Sequence, residues 1–156
     1  MKILVDADSC PRSVRTVIIR AAERVKKQVF FVANRPIPGL YGSFARMELC
    51  LPVAGAADEH IVALAEHSDI VITRDISLAS RLVERSITVL DDRGRVFTQE
   101  NVRYVLSIRN FVVNLAEHGL DIERTARYGK KELKVFADTF DRLLTHSLKG
   151  EDPCEL

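Results

Sequence analysis

Four short apolar runs without polar alternation punctuate the chain: residues 2–6 (KILVD), 28–33 (QVFFVA), 69–73 (DIVIT) and 87–90 (ITVL). Runs of this length and pattern predict strands buried on both faces, the kind that parallel sheets use. Helical spacing fills the gaps between them. After Ser9-Cys10-Pro11, a helix-start signal, Val14, Val17, Ile18, Ala21, Ala22 and Val25 recur on one face, with Arg12, Arg20, Arg24 and Lys27 opposite. Ala57-Asp58-Glu59 opens a second helix carrying Ile61, Leu64 and Ala65, its acids at the positive helix end. A short helix is expected over 76–85. A long one is expected from the cap at Thr98 through Glu117, closed by Gly119, and a last one carries Leu133, Phe136, Ala137, Phe140, Leu143 and Leu144.

Residues 34–39 read as a loop from their Pro and Gly content, and 91–94 (DDRG) as a turn. Residues 40–56 are the least legible stretch, with a short strand expected over 49–53. A polar linker is expected over about 120–130 and a frayed tail over 150–156, leaving one domain over 1–149. Strands alternating with helices predict an α/β fold with a mostly parallel sheet covered on both faces. Right-handed crossovers bring the strand C-termini to one edge, where such sheets bind ligands.

The length of 156 residues suits one domain with its own core, and 47% hydrophobic with 29% charged residues is ordinary globular composition. No apolar run reaches the roughly 20 residues that span a bilayer, and Asp6 interrupts the first run too early for a secretory leader. Three cysteines, Cys10, Cys50 and Cys154, show neither pairing nor zinc spacing. A cytoplasmic, reducing location with no membrane partner is therefore expected. The net charge of +1 does not advertise nucleic-acid binding, although 16 of the 23 basic residues are arginine.

Chemistry concentrates at the aspartates. Asp6 and Asp8 are two apart, so in extended backbone they share a face. Asp75 ends a different strand, and Asp58 opens the helix before that strand. If the strands ending at Asp6 and Asp75 are neighbours, four carboxylates converge on one pocket. Crowded negative charge is relieved by a proton or a cation, and hard oxygen ligands suit Mg²⁺ or Mn²⁺ with water completing the shell. Such an ion activates water and stabilises charge on a phosphodiester. Each aspartate also has a plain alternative as a turn or cap residue; Asp8 and Asp58 in particular are placed to cap helices.

The opening Val5-Asp6-Ala7-Asp8-Ser9-Cys10-Pro11 resembles the V-D-A-D-A-C-P start of the YaiI/YqxD-like family. The resemblance continues through Val32-Ala33-Asn34 and Ala57-Asp58, and is strongest over Asp69-Ile70-Val71-Ile72-Thr73-Arg74-Asp75-Ile76-Ser77-Leu78-Ala79. It runs on through Arg93-Gly94, Ser107-Ile108-Arg109 and the last helix. That family is similar to PIN-like domains, which implies a three-layer α/β/α fold and, for many members, metal-dependent cleavage of RNA. The resemblance implies Asp6, Asp8, Asp58 and Asp75 as catalytic and metal-binding residues. The middle-helix acid of PIN nucleases has only Glu48 as a candidate here, and the family's R-D pair appears as Arg109-Asn110. Arg12, Asn34, Arg35, Thr73, Arg74 and Arg93 fall near the expected strand edge and are candidates for contacting a nucleic-acid substrate, most naturally single-stranded RNA.

Two alternatives stand beside a Mg²⁺- or Mn²⁺-dependent ribonuclease. One is a catalytically degenerate PIN-like module that binds RNA or protein. The other is a phosphatase of the haloacid-dehalogenase type, with Asp6 as nucleophile, Asp8 as acid/base, Thr73 as strand-end hydroxyl and Asp91-Asp92 as late metal acids. Pro11 and Cys10 depart from that motif, and no lysine lies between Thr73 and Asp91. A cysteine-based phosphatase is excluded by the misplaced arginine, Arg15, after Cys10.

Overall fold

The computed structural model describes residues 1–119 and 127–150. Most of the linker expected over 120–130 and nearly all of the tail expected over 150–156 lie outside these residues. The elements, in chain order, are β1 (Ile3–Asp6), α1 (Arg12–Val25), β2 (Val29–Ala33), β3 (Ala45–Leu49), α2 (Ala56–Leu64) and β4 (Ile70–Ile72). They continue with α3 (Ile76–Glu84), β5 (Thr88–Leu90), β6 (Val96–Phe97), α4 (Gln99–Glu117) and α5 (Lys130–Lys149).

The four apolar runs become β1, β2, β4 and β5, the interior of one six-stranded sheet of order β3-β2-β1-β4-β5-β6. All pairings are parallel except that of β5 with β6. Period-two alternation divides the core. Ile3, Val5, Phe31 and Ile72 face α1 and α5, where they pack with Ile18, Phe136 and Phe140. Leu4, Val32, Val71 and Val89 face the other way, onto Ile61 of α2, Leu78 and Leu82 of α3, and Val102 of α4. The result is a three-layer α/β/α fold.

Two strands differ from the sequence reading. β3 occupies Ala45–Leu49 rather than 49–53. Among the described residues it is an edge strand that pairs with β2 alone, and it carries Arg46 and Glu48, so it lacks an apolar run. The apolar residues Leu51 and Val53 are instead exposed. β6 was not expected at all, because two residues give no periodicity. It is set by the turn after β5, in which Asp91 Oδ1 accepts the backbone N–H groups of Arg93 and Arg95 at 2.9 and 2.8 Å. Gly94 holds φ +86° in that turn, and a β-carbon there would lie 2.8 Å from the backbone oxygen of Val135 in α5. Glycine is thus required twice over, by conformation and by approach.

The chain leaves β1 for β2 and β3 on one side and returns to β4 on the other. The order therefore reverses between β1 and β4, and a crevice opens beyond their C-terminal ends. Val5 pairs with Ile72, so the next residues, Asp6 and Thr73, emerge side by side into it. No helix among the described residues is long and apolar enough to cross a membrane.

Candidate active site

An open cleft of about 460 Å³ occupies this crevice, lined by Asp6, Asp8, Asp58 and Asp75 together with Ser9, Asn34, Arg74 and Arg109. All four aspartates singled out by the sequence thus border one space, each delivered by a different local structure.

Asp6 is the last residue of β1 and is buried. Its Oδ2 accepts the hydroxyls of Thr73, at 2.9 Å, and Ser9, at 3.1 Å. Both bonds fall on the same oxygen, so Oδ1 lies outside this network. Burial pushes the carboxyl pKa up, the two hydroxyl bonds oppose that, and the charges of Asp8 and Asp75 push it further up. Ser9 does not cap α1: the N-cap is Pro11, without a side-chain bond.

Asp8 does not cap a helix either. Its Oδ2 accepts the backbone N–H of Asn34 at 2.8 Å, and its Oδ1 lies 3.4 Å from Nε of Arg35. It thereby ties the segment after β1 to the segment after β2. The amide oxygen of Asn34 is buried without a hydrogen-bond partner.

Asp58 is the third residue of α2, whose N-cap is Gly55, so it too is free of a capping role. Its pKa is raised, first by burial and then by the charges of Asp75 and Asp6. The next residue, Glu59, receives both guanidinium nitrogens of Arg81 at 2.8 and 3.0 Å, fastening α2 against α3. Asp75 is the N-cap of α3, with Oδ1 accepting the N–H groups of Ser77 at 2.7 Å and Leu78 at 3.1 Å. Its own N–H donates to Thr73 Oγ1 at 3.0 Å. Asp75 is therefore a structural cap and a cleft residue at once.

The basic candidates separate. Arg74 lines the cleft, and its Nε stands 3.5 Å from Oδ2 of Asp92, a buried carboxylate oxygen with no hydrogen-bond partner. Burial raises the Asp92 pKa, and the Arg74 charge opposes the rise. Arg35 meets Asp8 without lining the cleft. Thr73 is buried behind Asp6. Arg12 is exposed at the start of α1, and Arg93 lies over the Tyr128 ring, 5.6 Å from its centroid; neither borders the cleft. Arg109, absent from the sequence-derived candidates, does border it and donates to Ser77 Oγ at 2.8 Å. The family motif containing Arg109 was the one signal that marked it. Asp91 accepts N–H groups of its own turn and Asp92 faces Arg74, and neither lines the cleft that holds Asp6 and Asp8. Cys10 is buried, and its thiol is pushed up to about 12, mainly by burial, which suits a packed residue.

Among the described residues, no three His, Cys, Asp or Glu side chains stand close enough to hold one metal ion together. The four aspartates share a cleft without forming a ligand cage. A donor set of carboxylates is chemically compatible with a hard divalent ion held by one or two of them, with water as the remaining ligands. Mg²⁺ commonly binds in this way.

The family model described as "Uncharacterized BCR, YaiI/YqxD family" matches residues 4–146, and the chain belongs to this family. It is 43% identical over 164 residues to a UPF0178 protein of Treponema pallidum, covering 99% of this chain and 93% of that one. A UPF0178 protein of Myxococcus xanthus is 44% identical over 154 residues, covering 97% and 99%. One of Pseudomonas entomophila is 36% identical over 152 residues, covering 96% and 100%. No solved structure matches the chain.

Proposed function

We propose that this protein hydrolyses phosphodiester bonds in single-stranded RNA, using Mg²⁺ or Mn²⁺ held at the aspartate cleft. The observation that carries the reading is the meeting of Asp6 and Asp75 at the crevice between β1 and β4. The carboxyl groups of Asp6 and Asp58 are pushed towards protonation by burial and by neighbouring aspartates, and a cation is the simplest relief of that repulsion.

In this reading Asp6 and Asp75 would hold the ion. The bound ion supplies charge stabilisation and a more acidic water. Thr73 and Ser9 fix the Asp6 carboxylate. Asp8 and Asp58 orient the attacking water by accepting its hydrogen bonds. Arg74 and Arg109 counter the phosphate charge on the cleft wall. No side-chain nucleophile is required. A crystal soaked in Mn²⁺ tests the ion's place: anomalous density between Asp6 and Asp75 supports the reading, and none anywhere in the cleft opposes it.

A second reading is favoured by the absence, among the described residues, of three acids gathered on one point. The cleft then belongs to a non-catalytic RNA-binding module. RNA that is retained by the purified protein and stays intact with Mn²⁺ present selects this reading.

A further inference from the structure

Among the described residues, the one strand partner of β3 is β2. The bonds between them show which backbone groups β3 uses. The Val29 N–H donates to the carbonyl of Phe44 at 2.9 Å, and the Cys50 N–H donates to the carbonyl of Ala33 at 2.8 Å. Backbone polar groups alternate sides along a strand, so those of residues 44, 46, 48 and 50 point to β2, and those of Ala45, Met47 and Leu49 point outward. The Arg46 guanidinium donates to the outward carbonyl of Ala45 at 3.1 Å. Among the described residues the outward groups of Met47 and Leu49 have no backbone partner. Arg46 and Glu48 are in register with Phe30 and Val32, so both lie on the sheet face that α2 covers, where Glu48 stands 3.4 Å from His60. Large apolar residues flank the strand: Tyr41 before it is 50% exposed, and Leu51 and Val53 after it are 74% and 60% exposed. An open edge of this kind is a template for a further strand.

We propose that β3 pairs antiparallel with β3 of a second copy of the chain, about a two-fold axis at Met47, so that the sheet runs on from one copy into the other. In this register Met47 lies opposite Met47 of the second copy and Ala45 opposite its Leu49, so the outward N–H and carbonyl groups of β3 all find mates. Arg46 falls opposite Glu48 of the second copy, and Glu48 opposite its Arg46. These are the non-hydrogen-bonded positions, where facing side chains come closest and opposite charges attract. The neighbouring registers fail. A slip of one residue sets outward backbone groups against inward ones, and a slip of two sets Arg46 against Arg46 or Glu48 against Glu48. A single sign of charge on an edge strand repels a second copy. β3 carries one of each sign, placed to match its own copy, as an isologous interface requires. The same axis brings the Tyr41 end of one copy towards the Leu51 and Val53 end of the other. Antiparallel pairing points the strand C-termini of the two copies in opposite directions, so the two aspartate clefts open at opposite edges of the joined sheet.

Sedimentation equilibrium of the full chain at micromolar concentration tests this, with an expected mass of twice 17.6 kDa. Leu49→Pro removes an outward N–H from each copy without touching the pairing with β2, and is expected to weaken association about tenfold or more. The Leu49 side chain is exposed, so the circular dichroism spectrum is expected to stay unchanged. Arg46→Glu and Glu48→Arg each set like charges face to face, and each is expected to weaken self-association about tenfold. Mixed in equal amounts, these two variants meet with opposite charges throughout, and the dimer is expected to return. The mixture also guards against misreading a misfolded variant. A monomeric wild type overturns the proposal. So does a dimer indifferent to Leu49→Pro, or a mixture that associates no better than its components.

Discussion

The hydroxyl of Thr73 donates to Oδ2 of Asp6 at 2.9 Å, joining the ends of β4 and β1 across 67 positions of chain. The same Oγ1 accepts the N–H of Asp75 at 3.0 Å, so one buried side chain sets both aspartates. Thr73→Val keeps the shape and removes both bonds. It is expected to cost about 1–3 kcal/mol in denaturant unfolding, because a buried carboxylate loses a donor. The Asp6 pKa, followed by carboxyl NMR, is expected to move further up, since the strongest force lowering it is gone. Thr73→Ser is expected to retain most of both properties.

Asp75 has two duties that substitution separates. Asn is as good an N-cap as Asp, so Asp75→Asn keeps the bonds to Ser77 and Leu78 while removing the charge. Stability is expected to hold or rise slightly. Asp75→Ala loses the cap and is expected to cost about 1 kcal/mol. Metal affinity, read by titration calorimetry with Mn²⁺, is expected to fall in both variants, which shows that its loss does not follow from instability.

The raised carboxyls of Asp6 and Asp58 fix the sign of a pH effect. A carboxyl whose folded pKa exceeds its unfolded value binds more protons in the folded state, so stability falls as pH rises between the two values. In metal-free protein these groups therefore lower stability at neutral pH relative to the mildly acidic range just above the ordinary carboxylate value. Asp6→Asn is expected to raise the neutral-pH Tm on the order of a few degrees and to flatten this part of the profile. Saturating Mn²⁺ is expected to do the same for the wild type. Calorimetric scans over the pH series check both.

Arg74 faces a buried carboxylate oxygen of Asp92 that has no hydrogen-bond partner. Arg74→Ala leaves that carboxylate uncompensated and is expected to cost about 1–2 kcal/mol, less than a fully buried pair because the Arg74 side chain is 49% exposed. In Asp92→Asn the same arginine substitution is expected to cost much less. A double-mutant cycle in urea measures the coupling.

What the sequence revealed follows burial. β1, β2, β4 and β5 were legible because strands covered on both faces must be apolar throughout. β3 and β6 were not, since Arg46 and Glu48 suit an edge and two residues carry no period. Asp6 and Asp75 were recognisable as strand-end acids, and only topology could make them neighbours. Asp69, inside the same recognisable motif, does different work at the far edge of the sheet. Its carboxylate is buried against Lys2, with Nζ at 2.7 Å, and also accepts the N–H groups of Lys2 and Glu66. Arg109 was missed as a site residue, and Asp92 was read only as a late metal acid of the phosphatase alternative, because neither lies near Asp6 or Asp75 in sequence. α4 delivers one, and the end of β5 delivers the other behind Arg74.

The central claim is that the aspartate cleft is a metal-dependent phosphodiesterase. Its most direct test is cleavage of a labelled single-stranded RNA by highly purified wild type, Asp6→Asn and Asp75→Asn, with Mn²⁺ and with EDTA. The account predicts slow cleavage by wild type with Mn²⁺, none in EDTA, and a loss of about a hundredfold or more in each variant. Intact RNA with the wild type, or equal cleavage by all three proteins, would contradict it.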